Sequence, residues 1–158
     1  MTPVIPHYSR ISQVIFFLFA FMHLSPICAA HAQSSARNLF ASSTTAQSIT
    51  GNITINDTII KMARAIFKVK NLGLTNQYPT FLGTDVTATI YKVINPKNPS
   101  MLNGNKICIK NIRWYVIYEH NNKSQSPNTT TCLSAFQSKV KPLSDNQSGF
   151  CAGFCYSQ

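Results

Sequence analysis

Acidic residues are the scarcest charged side chains in this sequence. The chain of 158 residues has 4 Asp and Glu against 14 Lys and Arg, so its formal net charge is +10 although only 11% of its residues are charged. Glycosidases need two carboxylates close together. Asp57 and Asp85 occupy turn-like positions, where Asp commonly serves the backbone conformation. The shortage of acids therefore argues against glycosidase chemistry.

A hydrophobic run long enough to span a membrane is also missing. The most apolar segment, residues 14–24, would extend only about 16 Å as a helix, against roughly 30 Å of bilayer hydrocarbon. Arg10 precedes it, and a small-x-small motif ends at Ala32. Residues 1–32 thus predict a signal peptide cleaved between Ala32 and Gln33. We expect a periplasmic or secreted protein with no transmembrane segment after cleavage.

The predicted mature chain has a single histidine, His120, downstream of the predicted cleavage site. Its neighbour Glu119 would point to the opposite side of a strand, because successive side chains alternate. No nucleophile-elbow motif is present. The sequence therefore predicts no catalytic residue and a protein that is not an enzyme.

The predicted mature chain retains an even number of cysteines: Cys108, Cys132, Cys151 and Cys155. In a small exported domain such a set predicts two disulfides. Only Cys151 and Cys155 are closely spaced, and exported thiols tend to be oxidised, so a zinc site is disfavoured. We expect no metal and no cofactor.

A concentrated basic stripe is missing as well. The lysines are spread along the chain rather than run together: Lys61, Lys68, Lys70, Lys92, Lys97, Lys106, Lys110, Lys139 and Lys141. A nucleic-acid-binding domain usually has such a stripe or a recognisable motif. The sequence therefore predicts a soluble cationic surface and no nucleic-acid partner. Attraction to anionic lipid headgroups or cell-envelope polymers is the sharper alternative.

Alternating β-branched and aromatic residues predict a mainly β fold, a small antiparallel β-sandwich or barrel stapled by two disulfides. Residues 33–48, rich in Ser, Ala, Thr and Gln, predict a flexible leader before a single domain at 49–158. Strands are expected at 48–55, 84–94, 106–109, 112–119, 132–136 and 150–156, and loops at 71–83, 121–131 and 142–149. Residues 58–70 fit either a helix or strands, and we favour strands because their neighbours are strands.

The segment 112–119 carries the clearest alternation. Its even positions are all apolar, whereas its odd positions mix Arg113, Tyr115, Ile117 and Glu119. We expect the apolar face to pack on the core and the mixed face to be partly wet. Tyr115 is then the aromatic residue best placed to meet a ligand. The predicted binding residues are Tyr115, Glu119 and His120.

Two segments carry a resemblance. They are Pro96-x-x-Pro99-x-x-Leu-Asn-Gly-Asn-x-x-Cys108 and Gly149-Phe-Cys-Ala-Gly-Phe-Cys-Tyr156, with an aromatic strand and a Leu-Ser-Ala-Phe strand between them. This pattern resembles a group of small exported proteobacterial proteins of uncharacterised function. One cysteine in each segment implies a Cys108–Cys151 bond, and the additional cysteines of this chain suggest a second bridge, Cys132–Cys155. The resemblance implies no activity.

Sterics favour the same pairing without settling it. Cys151 and Cys155 would lie about 13 Å apart in an extended strand, whereas a disulfide needs Cα atoms within about 7 Å. A turn at Gly153 would remove that obstacle, so Cys108–Cys132 with Cys151–Cys155 remains open as the other pairing.

Export, disulfides and the lack of a catalytic constellation together predict a non-enzymatic binding or inhibitor module. The expected partner is an envelope protein or an anionic envelope polymer. Two alternatives stay open: a small exported hydrolase that uses His120 with a carboxylate, and a cationic structural protein of the cell envelope.

Overall fold

The strands of the protein form a closed barrel in a computed structural model that describes residues 35–120 and 129–158. The predicted signal peptide, its cleavage site and residues 121–128 lie outside the described residues. Within the described ranges, no helix has the length and apolarity needed to cross a membrane.

Eight strands follow one another around the barrel. Each pairs antiparallel with the next, and β8 closes the barrel by pairing with β1. The bounds are β1 Arg37–Ala41, α1 Thr44–Ile49, β2 Ile53–Ile55, β3 Ile59–Met62, β4 Ala65–Pro79, β5 Asp85–Lys97, a 3-10 turn Leu102–Gly104, β6 Ile112–His120, β7 Thr130–Phe136 and β8 Phe150–Ser157. The predicted mainly β, antiparallel fold is confirmed, and it is a barrel.

The barrel interior is filled by alternate side chains from all eight strands, which we call the inner cluster. Phe67 of β4 and Tyr115 of β6 are both fully buried there, with their rings edge to face and their centroids 5.2 Å apart. Burying such aromatic and branched side chains is the main favourable contribution to folding. This interior accounts for the alternation seen in the sequence.

A second apolar cluster, the outer cluster, lies on the outside of β4–β8. It comprises Tyr78, Ala88, Ile90, Trp114, Val116, Tyr118, Cys132 and Phe136. The connections 80–84 and 137–149 cover it. The centroid of the Phe81 ring lies 6.4 Å from that of Tyr118 and 6.0 Å from that of Phe150, and Asp145 accepts hydrogen bonds from Tyr78 and Tyr118. The expected partly wet back of β6 is therefore wrong for the middle of the strand, while Arg113 is half-buried and Glu119 exposed at its ends. Tyr115 and Ile117 of its mixed face lie inside the barrel, and its apolar face is covered by chain that returns across it.

The flexible leader predicted for residues 33–48 is also wrong over most of its length. β1 pairs with β2 and β8, and Leu39 is 1% exposed. Ser43 caps α1 by accepting a hydrogen bond from the Ala46 N–H, and Ala46 is fully buried. Few apolar residues suffice here, because the ordering cost is offset by strand pairing on both sides. The folded barrel thus begins well before residue 49.

Three other strand boundaries differ from expectation. β4 continues through the predicted loop to Pro79, with register shifts between Asn71 and Leu74 and between Thr75 and Tyr78. Bulges of this kind let a strand bend without ending. Residues 106–109 form a loop rather than a strand, and β2 is shorter than predicted because α1 takes residues 44–49. Residues 58–70 are strands, as favoured, with a hairpin turn at Ala63 (φ 48°).

Both suggested disulfides are present. Cys108–Cys151 links the β5–β6 connection to β8, with a Cα–Cα distance of 5.2 Å. Cys132 and Cys155 are direct partners in the β7–β8 register, with a Cα–Cα distance of 4.1 Å. β8 runs straight through Gly153, so the alternative pairing is excluded. Two disulfides are compatible with an extracellular or periplasmic location.

Candidate functional site

The barrel has two chemically different ends, because consecutive antiparallel strands place their connections at alternate ends. One end carries the start of β1, the β2–β3 and β4–β5 connections and the end of β6. Three carboxylates lie there: Asp57, Asp85 and Glu119. We call this the acidic end.

The opposite end, the basic end, carries the β1–β2, β3–β4, β5–β6 and β7–β8 connections. Its basic residues, in these connections or at the strand ends beside them, are Arg64, Lys97, Lys106, Lys110, Arg113, Lys139 and Lys141. The one described acid in these connections is Asp145, which is 3% exposed. Apart from Arg37, every other basic side chain of the described ranges lies on the wall formed by β3–β5. Among the described residues, the exposed carboxylates thus lie at one end of the barrel and most of the basic side chains at the other.

A cleft of about 520 Å³ opens at the basic end, beside the start of β6 and the end of β7. We call it the basic cleft. Its lining is Lys110, Asn111, Arg113, Gln137, Ser138 and Lys139. Three of these side chains are cationic, the other three are neutral and polar, and none is acidic. Such a lining suits an anion.

Hydrogen bonds fix the backbone around the basic cleft. The Lys110 N–H donates to Gln137 Oε1 at 2.8 Å, which ties the β5–β6 connection to the end of β7. The Trp114 indole N–H donates to the Ser138 carbonyl at 3.1 Å, and the Gln137 N–H donates to Gly149 O at 2.9 Å. The cationic side chains therefore project from a fixed frame.

The Cys108–Cys151 disulfide contributes to the same frame. It lies two residues before Lys110 and lines a smaller cavity of about 250 Å³ that shares Gln137 with the basic cleft. Asn98 Nδ2 donates to the Cys108 carbonyl and holds the same connection from its other side. The Cys108–Cys151 bond, which the sequence predicts as a stabilising cross-link, thus also positions the basic cleft.

A second cleft, the mouth cleft, lies at the acidic end and measures about 380 Å³. It is lined by Arg37, Leu74, Thr87, Thr89, Ile117, Tyr118 and Glu119. Arg37 and Glu119 form an ion pair at 3.4 Å, with side chains 43% and 54% exposed. An exposed pair of this kind contributes at most about 1 kcal/mol. Its two charges offset each other, so this cleft attracts neither sign of ligand strongly.

The structure separates the three predicted binding residues. Tyr115 is fully buried in the inner cluster, and its hydroxyl lies 3.8 Å from the Met62 sulfur, so the prediction that it is exposed is wrong. Glu119 lines the mouth cleft. His120 is half-buried at the end of β6, where it pairs with Thr130. A binding role for Glu119 or His120, and a hydrolase built on His120, stay predictions.

Asp145 forms a buried hydrogen-bonding centre that fastens the 137–149 connection onto the outer cluster. Its Oδ2 accepts from Ser134 and the Phe81 N–H, both at 2.9 Å, and from Tyr118 at 3.2 Å. Its Oδ1 accepts from Tyr78 at 2.9 Å. Burial, reinforced by Asp145, raises the pKa of Tyr78 and Tyr118 well above the ordinary value of 10.0. We interpret this constellation as architectural, because all its polar atoms are enclosed and mutually satisfied.

Comparisons of the chain with protein-family models, with curated proteins and with solved structures returned no match. The resemblance to small exported proteobacterial proteins therefore stays a prediction. Among the residues that the structure describes, no group of three or more His, Cys, Asp or Glu side chains is placed to hold a metal ion.

Sequence reasoning missed the basic cleft. Lys110 and Lys139 belong to connections that are far apart in the sequence, and only the pairing of β6 with β7, in which Trp114 faces Phe136, brings them together. The available signal was indirect: Lys110 directly follows one predicted strand, Lys139 lies three residues after the end of another, and the chain has few acids to neutralise them.

Proposed function

We propose that this chain is an exported, non-enzymatic binding protein that attaches to an anionic component of the cell envelope through the basic end of its barrel. The observation that carries the proposal is the segregation of charge. Three carboxylates lie at one end, whereas the other end carries basic side chains with its one acid buried. Net charge alone favours only loose association with any anion. Segregation of charge also orients the protein, because it turns one end of the barrel toward an anionic partner.

The barrel wall supports the same proposal. Lys70 and Lys92 are direct cross-strand partners in β4 and β5. Like charges placed opposite each other destabilise a sheet, and an anionic partner would relieve that repulsion. Two exposed isoleucines lie on the same two strands, Ile66 of β4 (50% exposed) and Ile94 of β5 (56% exposed). The aliphatic surface adds contact area beside the charges. The predicted signal peptide and the two disulfides are consistent with work outside the cytoplasm.

The envelope is favoured as the source of the partner because export would deliver the protein to it. An anionic polymer or headgroup layer offers many negative charges at once, which matches a whole end of the barrel better than a single small ion does. An envelope protein with an acidic face would satisfy the same chemistry over a smaller area.

The proposal is tested by measuring how the oxidised mature protein associates with dextran sulfate, with neutral dextran as the matched control polymer. We expect binding to the charged polymer alone, and we expect it to weaken as salt rises from about 0.1 M to about 1 M, because the Debye length then falls from about 10 Å to about 3 Å. The same salt series with isolated envelopes extends the test to the natural surface. Binding that ignores salt would contradict the proposal.

Charge-reversal variants locate the contact. Lys106→Glu and Lys141→Glu change the net charge at the basic end, and Arg37→Glu makes the same change at the acidic end. We expect the first two to weaken association with dextran sulfate and the third to leave it close to that of the parent protein. Equal weakening by all three would show that net charge, and not the basic end, decides binding.

A further inference from the structure

We infer that the basic cleft is a binding site for a phosphate monoester group carried by a larger molecule. This inference rests on the proposed function, since it names the anion that the basic end takes. The first observation is the lining of the cleft. Three cationic residues, Lys110, Arg113 and Lys139, surround a volume of about 520 Å³. Arg113 is half-buried there, and Lys110 and Lys139 are exposed on the two connections beside it.

The number of cations points to a multivalent anion. Three like charges around one cleft repel each other when it is empty, and among the described lining residues no carboxylate offsets them. A carboxylate or a sulfate ester brings a single negative charge, whereas a phosphate monoester carries about 1.5 to 2 negative charges near pH 7 and three strong acceptor oxygens. The monoester therefore matches three cationic side chains best.

The types of side chain point the same way. Arg113 offers a planar fork that suits two phosphate oxygens at once, and the lysines act as point charges beside it. Gln137 accepts the Lys110 N–H through Oε1, which leaves its Nε2 as the donor able to meet a ligand. Asn111 adds a further amide to the lining. Donors thus predominate over acceptors around the cavity.

The frame of the cleft is ordered before any ligand arrives. Gln137, the Trp114 indole and the Cys108–Cys151 bond hold the two connections that carry the cations. A preformed frame lowers the ordering cost of binding, so more of the electrostatic attraction appears as affinity. The cavity is also much larger than one phosphate group, which leaves room for the molecule that bears it.

The decisive experiment titrates the oxidised mature protein with glycerol 3-phosphate at constant ionic strength and follows amide chemical shifts. Inorganic phosphate and phosphatidic acid vesicles form parallel arms, which separate a free phosphate from a lipid headgroup as the source. We expect saturable shifts at Lys110, Arg113 and Lys139 in at least one arm. A short DNA duplex is included, and a tighter response to it at the same residues would overturn the assignment to a monoester.

Variants separate a built site from general charge. Arg113→Lys keeps the charge and removes the fork, and it should weaken binding by about tenfold. Lys139→Gln should weaken it comparably, whereas Lys141→Gln, in the same connection but outside the lining, should leave it nearly unchanged. Shifts that never saturate, or an equal loss in Lys141→Gln, would overturn the inference.

The inference and the proposed function can fail separately. Phosphate binding that persists in a protein that does not associate with dextran sulfate or isolated envelopes would overturn the proposed function and assign the cleft to a soluble phosphorylated molecule. Salt-sensitive envelope association that is unchanged in Arg113→Lys and Lys139→Gln would overturn the cleft as the site and leave the basic end as the contact surface.

Discussion

Replacing Asp145 with Asn should destabilise the barrel strongly although the side chain keeps its shape. The carboxylate accepts four hydrogen bonds, three at Oδ2 and one, from Tyr78, at Oδ1. An amide is best placed with its oxygen at the Oδ2 position, where the three bonds persist to a neutral acceptor. Its NH₂ group then faces the Tyr78 hydroxyl oxygen, which can accept from it, but the Tyr78 O–H proton loses its acceptor.

The magnitude follows from those four bonds. A hydrogen bond to a charged acceptor contributes about 1.5–3 kcal/mol and a neutral one about 0.5–1.5, so the three retained bonds lose about 1 kcal/mol each. Leaving the buried Tyr78 O–H donor without an acceptor costs about 1–3 kcal/mol more. Allowing for relaxation, we expect Asp145→Asn to lower the free energy of unfolding by about 3–5 kcal/mol. Natural domains have only about 5–15 kcal/mol in total.

Urea unfolding followed by the fluorescence of Trp114 is the appropriate assay, because this single tryptophan lies in the outer cluster that Asp145 fastens. With a slope of about 2 kcal/mol per M, the midpoint should fall by about 2 M urea. Asp85→Asn makes the same chemical change at an exposed carboxylate and should shift stability by no more than about 0.5 kcal/mol. Equal shifts in the two variants would refute the reasoning that Asp145 anchors the 137–149 connection.

Three further predictions follow from the same contacts. Replacing both Cys108 and Cys151 with Ala should cost about 4 kcal/mol of stability, for a sequence separation of 43, and should weaken phosphate binding. Replacing both Cys132 and Cys155 with Ala, for a separation of 23, should cost about 3.5 kcal/mol and leave phosphate affinity intact. Equal losses of affinity in the two variants would contradict this. Gly153→Ala places a methyl group against the Phe81 ring and should cost about 1–3 kcal/mol in thermal unfolding, and the loss should vanish in a Phe81→Ala background. Burial raises the pKa of the tyrosines in both clusters above 10.0, so above that pH these tyrosines stay protonated in the folded chain and ionise in the unfolded chain. The free energy of unfolding should be constant below about pH 10 and fall above it by about 1.4 kcal/mol per pH unit for each such tyrosine. Unchanged urea midpoints up to about pH 11 would contradict this.

The central strands could be predicted from the sequence because their signal is local. β5 and β6 consist of alternating β-branched and aromatic residues, and both were located within a few residues of their ends. β1 could not be predicted from the sequence, because it buries only Leu39 and is held by hydrogen bonds to β2 on one side and to β8 on the other. No local pattern records those partners, since β8 lies at the other end of the sequence.

The prediction that Tyr115 is exposed is wrong for a related reason. A strand with one apolar and one mixed face usually turns the apolar face to the core. Here Asp145 brings a connection back over the apolar face, while Tyr115 and Ile117 fill the barrel. Both faces of the middle of β6 are therefore buried, and the local alternation could predict only one of them.

The candidate site was the least predictable part. Glu119 was singled out and does line a cleft, but Arg37 offsets its charge. The basic cleft depends on Lys110 and Lys139, which sequence reasoning placed among evenly scattered lysines. Lysines that are far apart in the sequence can be close in space once strands have paired. In this barrel the pairing of β6 with β7 brings Lys110 and Lys139 together.

A lysine acetylation footprint of the protein bound to isolated envelopes tests the central claim most directly. The claim is that the basic end of the barrel faces the partner. We predict that Lys106, Lys110 and Lys139 become protected on binding and regain their reactivity in about 1 M salt, where charge contacts are screened. Retained binding with these three lysines as reactive as in the free protein would contradict the account.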